Sequence, residues 1–327
     1  MTTLVIGATG FIGGYLTQAL CRLGEPVRIL ARRTSDQHAL AGLPIEVVYG
    51  DLSDTEALAK SVHGVRRIIN CAGKASDWGP WSAFQAANIT GVENLLRTAR
   101  AESRLQRLVH VSTADVYGYP NRRHVTEESP WVDRGFPYNS SKIAGERLAW
   151  QAYREHGIPL TIVRPASVYG PGDPNFVLRI VTMMRSHSMI LVDGGRAIAG
   201  LHYVENLVDL LLLAAERPAA IGMAFNASDD STVTWRQYVD RLAQAADTAP
   251  VRLSLPYKVA YALGWAMEAA CRPLGGRVSP PVTRQAVENT GIDQDYPAER
   301  ARRMLGYTPR VSFDEGMERV ARWLRET

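Results

Sequence analysis

The sequence predicts an α/β protein, a doubly wound parallel sheet followed by a smaller C-terminal α+β cap. Three observations predict it. Six short apolar strands alternate with helical stretches over the first half of the 327-residue chain, as parallel strands joined by crossover helices require. The first strand runs directly into Gly7-Ala-Thr-Gly10-Phe-Ile-Gly13-Gly14, and a helical pattern over 15–23 follows. After residue 172 the alternation loosens and helical patterns dominate. The sequence therefore divides into a sheet region, 1–172, and a cap, mainly 173–327, with segments such as 201–227 returning to the sheet.

Composition bounds the function. Hydrophobic residues make up 46% and charged residues 21%, with a net charge of +4, an ordinary globular mixture. Arginine carries most of the positive charge, since the lysines are Lys60, Lys74, Lys142 and Lys258 alone. The arginines are scattered, which argues against nucleic-acid binding. Cys21, Cys71 and Cys271 are odd in number and far apart, so buried thiols in a reducing compartment are expected, with no disulfide. The seven histidines lack ligand spacing and no metal site is expected. Gly7 and Gly10 interrupt the apolar run 2–6, so no signal peptide is read. The apolar stretch 259–271 contains Gly264 and Glu268 and is too short to span a bilayer. A soluble, cytoplasmic protein is expected. The helix over 256–271 is nearly apolar all round and is expected to be buried. Covering a greasy ligand or touching a membrane surface are its alternatives.

The glycine turn carries the first chemistry. Glycine lets the backbone turn tightly and approach a pyrophosphate, and the following helix start offers amide N–H groups and a positive dipole end. Gly7, Thr9, Gly10, Phe11, Ile12 and Gly13 are the candidate phosphate-side residues of a Rossmann-type dinucleotide site. The second strand, 26–31, ends in Ala31-Arg32-Arg33, with no carboxylate until Asp36. An acidic residue there would hold a ribose 2′-hydroxyl. The Arg32-Arg33 fork suits a 2′-phosphate, so NADP(H) is preferred, with NAD(H) possible. Asp51 and Leu52 leave the third strand, 45–49. Asp51 is placed to accept from an adenine amino group or to cap the helix over 55–60. Ala72 and Gly73 leave the fourth strand and let backbone lie close to a cofactor.

Ser112 and Thr113 leave the fifth strand, 105–111, at the same edge. Tyr138 and Lys142 follow, four residues apart on one face of a helix running to 156. An ammonium beside a phenol favours the phenolate and lowers its pKa, which makes the tyrosine a proton donor and acceptor near neutral pH. The sixth strand, 160–164, leads into Pro165, Ser167 and Val168.

In this order, Gly7-x-x-Gly10-x-x-Gly13, Asp51, Ser112-Thr113, Tyr138-x-x-x-Lys142 and Arg164-Pro165 resemble the extended short-chain dehydrogenase/reductase superfamily over nearly the whole chain. Three stretches, 72–81, 202–206 and 296–307, resemble its 3β-hydroxysteroid dehydrogenase and 2-alkyl-3-oxoalkanoate reductase members. Val168-Tyr-Gly-Pro171 is similar to the nucleotide-sugar epimerases and dehydratases. Those typically carry Asn before Val-Tyr-Gly, where this chain has Ser167, and the dehydratases an Asp-Glu pair where it has Ala114-Asp115.

The resemblance implies that Tyr138 exchanges a proton with the substrate oxygen while Lys142 lowers its pKa and holds the nicotinamide ribose. It implies that Thr113 hydrogen-bonds the reacting oxygen and that Ser112, with Pro165 and Ser167, supports the cofactor side. A homodimer pairing the helix after Trp81 with the Tyr138 helix is implied too. The expected reaction is reversible ketone reduction on a steroid, a β-keto acid or a polyketide-like molecule. The alternatives are a nucleotide-sugar epimerase/dehydratase and a non-catalytic dinucleotide sensor. Trp78, Trp81, Trp131 and Phe136 are read as bordering the substrate, with Val168, Phe176, Val177 and Ile180 adding to its wall. Lys74 and Asp77 are read as surface charges.

Overall fold

The computed structural model describes residues 2–276 and 278–327. Its centre is a seven-stranded, all-parallel sheet: β1 (Thr3–Ile6), β2 (Val27–Ala31), β3 (Ile45–Tyr49), β4 (Arg67–Asn70), β5 (Arg107–Val111), β6 (Leu160–Pro165) and, near the C-terminal half, Met223–Ala227. The last strand pairs with β6, so the order across the sheet is Met223–Ala227, β6, β5, β4, β1, β2, β3. The direction of strand succession reverses between β1 and β4, where Ile6 stands level with Leu30 on one side and Asn70 on the other. A ligand crevice opens at such a switch point, outside the carboxyl ends of the strands.

Period-two alternation of buried side chains builds two cores. Val5, Ile29, Ile69, Val109 and Val163 face one layer, with α1 (Phe11–Arg22) and the Val204–Glu216 helix. Leu4, Leu30, Ile68, Leu108 and Ile162 face the other, with α2 (Thr55–Val62), the Gly91–Arg100 helix and the long helix Pro137–His156. The sheet thus gains a seventh strand beyond the six of the N-terminal half. A short strand, Leu201–Tyr203, precedes the Val204–Glu216 helix and contains His202.

The cap has its own core. Val177, Ile180 and Met184 pack against Trp235, Tyr238 and Leu242 of the Trp235–Ala245 helix and against Met317 and Val320 of the last helix. The helices Tyr257–Cys271 and Arg284–Gly291 pack on each other beside Val192. Among the described residues, no helix is long and apolar enough to cross a membrane. Cys21, Cys71 and Cys271 are free, and each is half-buried rather than fully buried.

Candidate active site

The glycine turn adopts a conformation that only glycine tolerates. Gly7 has φ +82°, and a Cβ there would stand 2.7 Å from Ala72 N. A Cβ on Gly13 would overlap the Gly7 carbonyl, so the helix can start this close to β1 only as glycine. Gly10 is exposed at the N-cap of α1, with no side-chain cap and no acidic residue in the first turn. The amides at Phe11 and Ile12 therefore meet no competing protein acceptor from a cap. An uncapped twelve-residue helix behind a glycine cradle fits a dinucleotide pyrophosphate. Arg32 and Arg33 are exposed just past β2, and the Arg33 guanidinium lies 4.5 Å from the Tyr49 ring centroid.

Asp51 does not cap α2; the cap is Asp54, which accepts from Ala57 N at 3.0 Å. Asp51 instead accepts from the amide and hydroxyl of Ser53, and these bonds hold its carboxyl below the usual range, with Arg32 a smaller influence. The Asx turn satisfies the carboxylate locally, before it could reach the helix start. The Leu52 carbonyl accepts from Asn94 Nδ2.

At the centre of the sheet edge, Lys142 is 6% exposed and donates from Nζ to the Val111 carbonyl at 2.8 Å. Thr113 is 6% exposed, and its Oγ1 accepts from Asp115 N at 3.2 Å, leaving the hydroxyl proton to donate elsewhere. Thr113, Asp115 and half-buried Tyr138 line one cavity of about 260 Å³. Burial pushes the Tyr138 phenol well above its ordinary pKa, the Asp115 carboxylate adds to the rise, and a hydrogen bond with Thr113 offsets part of it. Burial lowers Lys142 to about 8, opposed by Glu146, Cys71 and Asp115. Burial, rather than the lysine, thus sets the direction of the Tyr138 shift. Desolvation weakens the ammonium itself, and one of its protons is committed to Val111.

Ala72 donates its amide to Asn70 Oδ1, and the backbone just past Gly73 is held by Asn88, which lies in a π-helical turn, Ala86–Thr90, between the Trp81–Gln85 and Gly91–Arg100 helices. Asn88 Oδ1 accepts from Lys74 N at 2.8 Å, while Nδ2 donates to Lys74 O and to Ser141 Oγ. This pins the 72–74 backbone against the Tyr138 helix, where Gly145 lies so close to the Asn88 carbonyl that a Cβ would overlap it. A single Asn in a helical pattern gave no sign of this role; such π-turns often mark functional positions.

Ser112 is turned away from the cavity. Its hydroxyl donates to Glu146 Oε2 at 2.6 Å, and Glu146 is paired with Arg164. The buried carboxylate needs that donor more than any solvent-facing group does. Pro165 is buried at the end of β6, and Ser167 lines the cavity.

The cavity wall opposite Tyr138 comes from the cap. Phe176, Ile180, Met183 and Met189 line it, with Leu263 from the Tyr257–Cys271 helix and Val282 from the turn just before the Arg284–Gly291 helix. The residues read as its aromatic border lie elsewhere. Trp78 donates from Nε1 to the Val278 carbonyl, and Trp81 is 46% exposed. Trp131 packs beneath Arg147, and Phe136 is buried against Tyr119 and Arg284. Val168 and Val177 belong to the packed cores. Each sits near the sheet edge in sequence but satisfies packing or an indole N–H away from the chamber.

The polar floor was invisible as a unit in the sequence. Tyr119 donates to Asp115 Oδ2 at 2.6 Å, and Gln285 Nε2 reaches both Asp115 and Tyr119, at 3.2 and 3.1 Å. Burial raises the Asp115 carboxyl, while these hydrogen bonds lower it. Asp77, read as a surface charge, lines the cavity. It accepts from Arg179 at 2.9 and 3.2 Å and from Thr283 at 2.8 Å, joining the 74–80 loop to the cap.

Known proteins resemble this chain over most of its length. The NAD dependent epimerase/dehydratase family model matches residues 3–228. The 2-alkyl-3-oxoalkanoate reductase of Stenotrophomonas maltophilia is 30% identical over 98% of each chain. The decarboxylating sterol-4-alpha-carboxylate 3-dehydrogenase of Mus musculus is 27% identical over 97% of this chain and 89% of its own. The dTDP-glucose 4,6-dehydratase DesIV of Streptomyces venezuelae, solved with NAD and TYD bound, has a TM-score of 0.81 at 23% identity, covering 100% of this chain and 98% of that one, and shows the shared fold. The chain belongs to the NAD dependent epimerase/dehydratase family, the extended short-chain dehydrogenases/reductases, and is an NAD(P)-dependent enzyme acting on CH–OH or C=O groups.

Proposed function

We propose that this enzyme reversibly reduces the ketone of a hydrophobic small molecule, with NADP(H) as the preferred cofactor. The observation that carries the reading is the chamber itself, in which Tyr138 and Thr113 face an apolar cap wall. The names of its relatives, an oxoalkanoate reductase and a sterol dehydrogenase, support an apolar substrate body. The exposed Arg32 and Arg33, with no carboxylate at the end of β2, support a 2′-phosphate.

The glycine turn and Lys142 would hold a nicotinamide dinucleotide, which would supply or accept the hydride. Thr113 Oγ1 accepts from Asp115 N, and its one hydroxyl proton, shared with the Tyr138 oxygen, can turn to the reacting oxygen when substrate enters. Tyr138 holds its proton at neutral pH and delivers it to that oxygen as charge develops. The Asp115 charge beside it favours the protonated phenol, which suits the reductive direction. Lys142, bonded to Val111, is fixed beside the Gly73 backbone to hold a ribose hydroxyl. The cap wall is largely apolar, and a substrate seated against it would shield these hydrogen bonds from water.

Absorbance of reduced nicotinamide, followed with a panel of hydrophobic ketones and with nucleotide sugars, tests the reading. Net NADPH consumption with ketones is expected. Conversion of a sugar nucleotide without net consumption would replace the reading with the epimerase/dehydratase alternative.

A further inference from the structure

The helix Tyr257–Cys271 is amphipathic in reverse. The residues it buries are Ala260, Gly264 and Glu268, one narrow stripe of small and charged side chains. Gly264 lets the start of the Arg284–Gly291 helix approach, and buried Glu268 accepts from the Arg284 amide and side chain. Large apolar side chains point outward instead. Val259 is 51% exposed and Trp265 59%, and Leu274 and Val278, just beyond the helix, are 50% and 48% exposed. The turn at Gly276 lies against Pro80, the residue before exposed Trp81. Large apolar side chains exposed along one helix and the turn after it mark an interaction site.

We infer that this face lies on an anionic lipid surface. Exposed Lys258 and Arg272 stand at the two ends of the helix, and neither forms an ion pair among the described residues. The helix's one carboxylate, Glu268, is buried and paired with Arg284. Apolar and indole side chains flanked by cations suit the boundary between acyl chains and acidic headgroups. A second copy fits less well. A two-fold contact through this face would bring cations together with no exposed carboxylate on the helix to meet them. The helix also separates the lipid from the reaction chamber, because Ala260 and Leu263 line the cavity from its inner side. One helix thickness, about 10 Å, then lies between the surface and the chamber. The entry of substrate from the bilayer rests on the apolar-ketone reading; the binding itself does not.

Flotation of the full chain with vesicles of phosphatidylcholine, alone or mixed with phosphatidylglycerol, tests this. The expected result is flotation with the mixed vesicles, weakened by salt. Trp265→Glu and, as a second variant outside the helix, Leu274→Glu should each reduce the bound fraction about tenfold or more, by loss of apolar insertion. Lys258→Glu and Arg272→Glu should reduce it on the order of fivefold or more each. Turnover of a water-soluble ketone should be unchanged in Trp265→Glu. Absence of flotation with anionic vesicles overturns the proposal. So does flotation that both Glu variants at 265 and 274 leave intact, or a dimer in solution that Trp265→Glu dissolves. A chain that floats but reduces no ketone leaves the lipid surface standing and removes only the substrate reading.

Discussion

Two walls face each other across the chamber, and they are held in different ways. The sheet-side wall carries Tyr138 and Lys142 on a helix locked by a pair that water does not reach: Glu146 is 0% and Arg164 4% exposed in its side chain. The lock extends through Tyr117, which accepts from Arg164 and donates to Asn226 on the edge strand. The cap-side wall is tied down by pairs with one solvent-facing member, such as Asp77 with Arg179, whose side chain is 45% exposed, and Glu288 with Arg134, 41% exposed. Buried pairs are costly to break and exposed ones contribute little. The sheet-side pair is therefore the costlier of these to break, while the Asp77–Arg179 pair on the cap side contributes little.

The contrast can be broken most forcefully at Glu146. Glu146→Ala leaves Arg164 as an unpaired buried cation and should cost about 3–5 kcal/mol of stability in denaturant unfolding. A loss below about 1 kcal/mol would show that the lock is not what fixes the helix. Next comes the pH dependence of Lys142. Folded Lys142 releases its proton near pH 8 and the unfolded lysine near 10.5. Between those values the unfolded chain binds more protons, so this group's contribution to stability rises with pH. Comparing the wild type with Lys142→Met should show a rise of about 3 kcal/mol across that window, and a flat difference would contradict the lysine's burial.

Arg32 and Arg33 are a smaller lever because both are exposed. Arg32→Ala with Arg33→Ala should weaken NADPH about 10- to 100-fold and NADH much less. Equal losses for both cofactors would remove the 2′-phosphate assignment. The smallest effect is expected at the cap. Asp77→Ala should cost less than about 1 kcal/mol of stability, and it should raise KM while leaving kcat nearly unchanged. A fall in kcat comparable to the rise in KM would mean that the cap wall also positions the chemistry.

The two walls also differ in what the sequence discloses. The glycine turn is readable because Gly7 and Gly13 answer to local backbone demands, and the Tyr138–Lys142 spacing is one turn of one helix. The doubly wound sheet follows from strand and helix periods in the same local way. The chamber's other side is assembled from positions far apart in the chain: Gln285 meets Asp115 170 residues away, and Thr283 meets Asp77 206 residues away. No local pattern marks such pairs. Tryptophans in loops near the sheet edge looked like substrate contacts, but an indole N–H must find a partner, and Trp78 finds the Val278 carbonyl. The apolar helix 256–271 was expected to be buried, and its periodicity cannot reveal that Gly264 and Glu268 are the residues turned inward.

The central claim is that Tyr138 supplies the proton for ketone reduction, and Tyr138→Phe tests it most directly. NADPH consumption by this variant, measured with the best ketone of the panel beside a separate NADPH titration, should fall on the order of 10²–10⁴-fold while NADPH still binds. Turnover equal to the wild type, with the cofactor bound, would contradict the account.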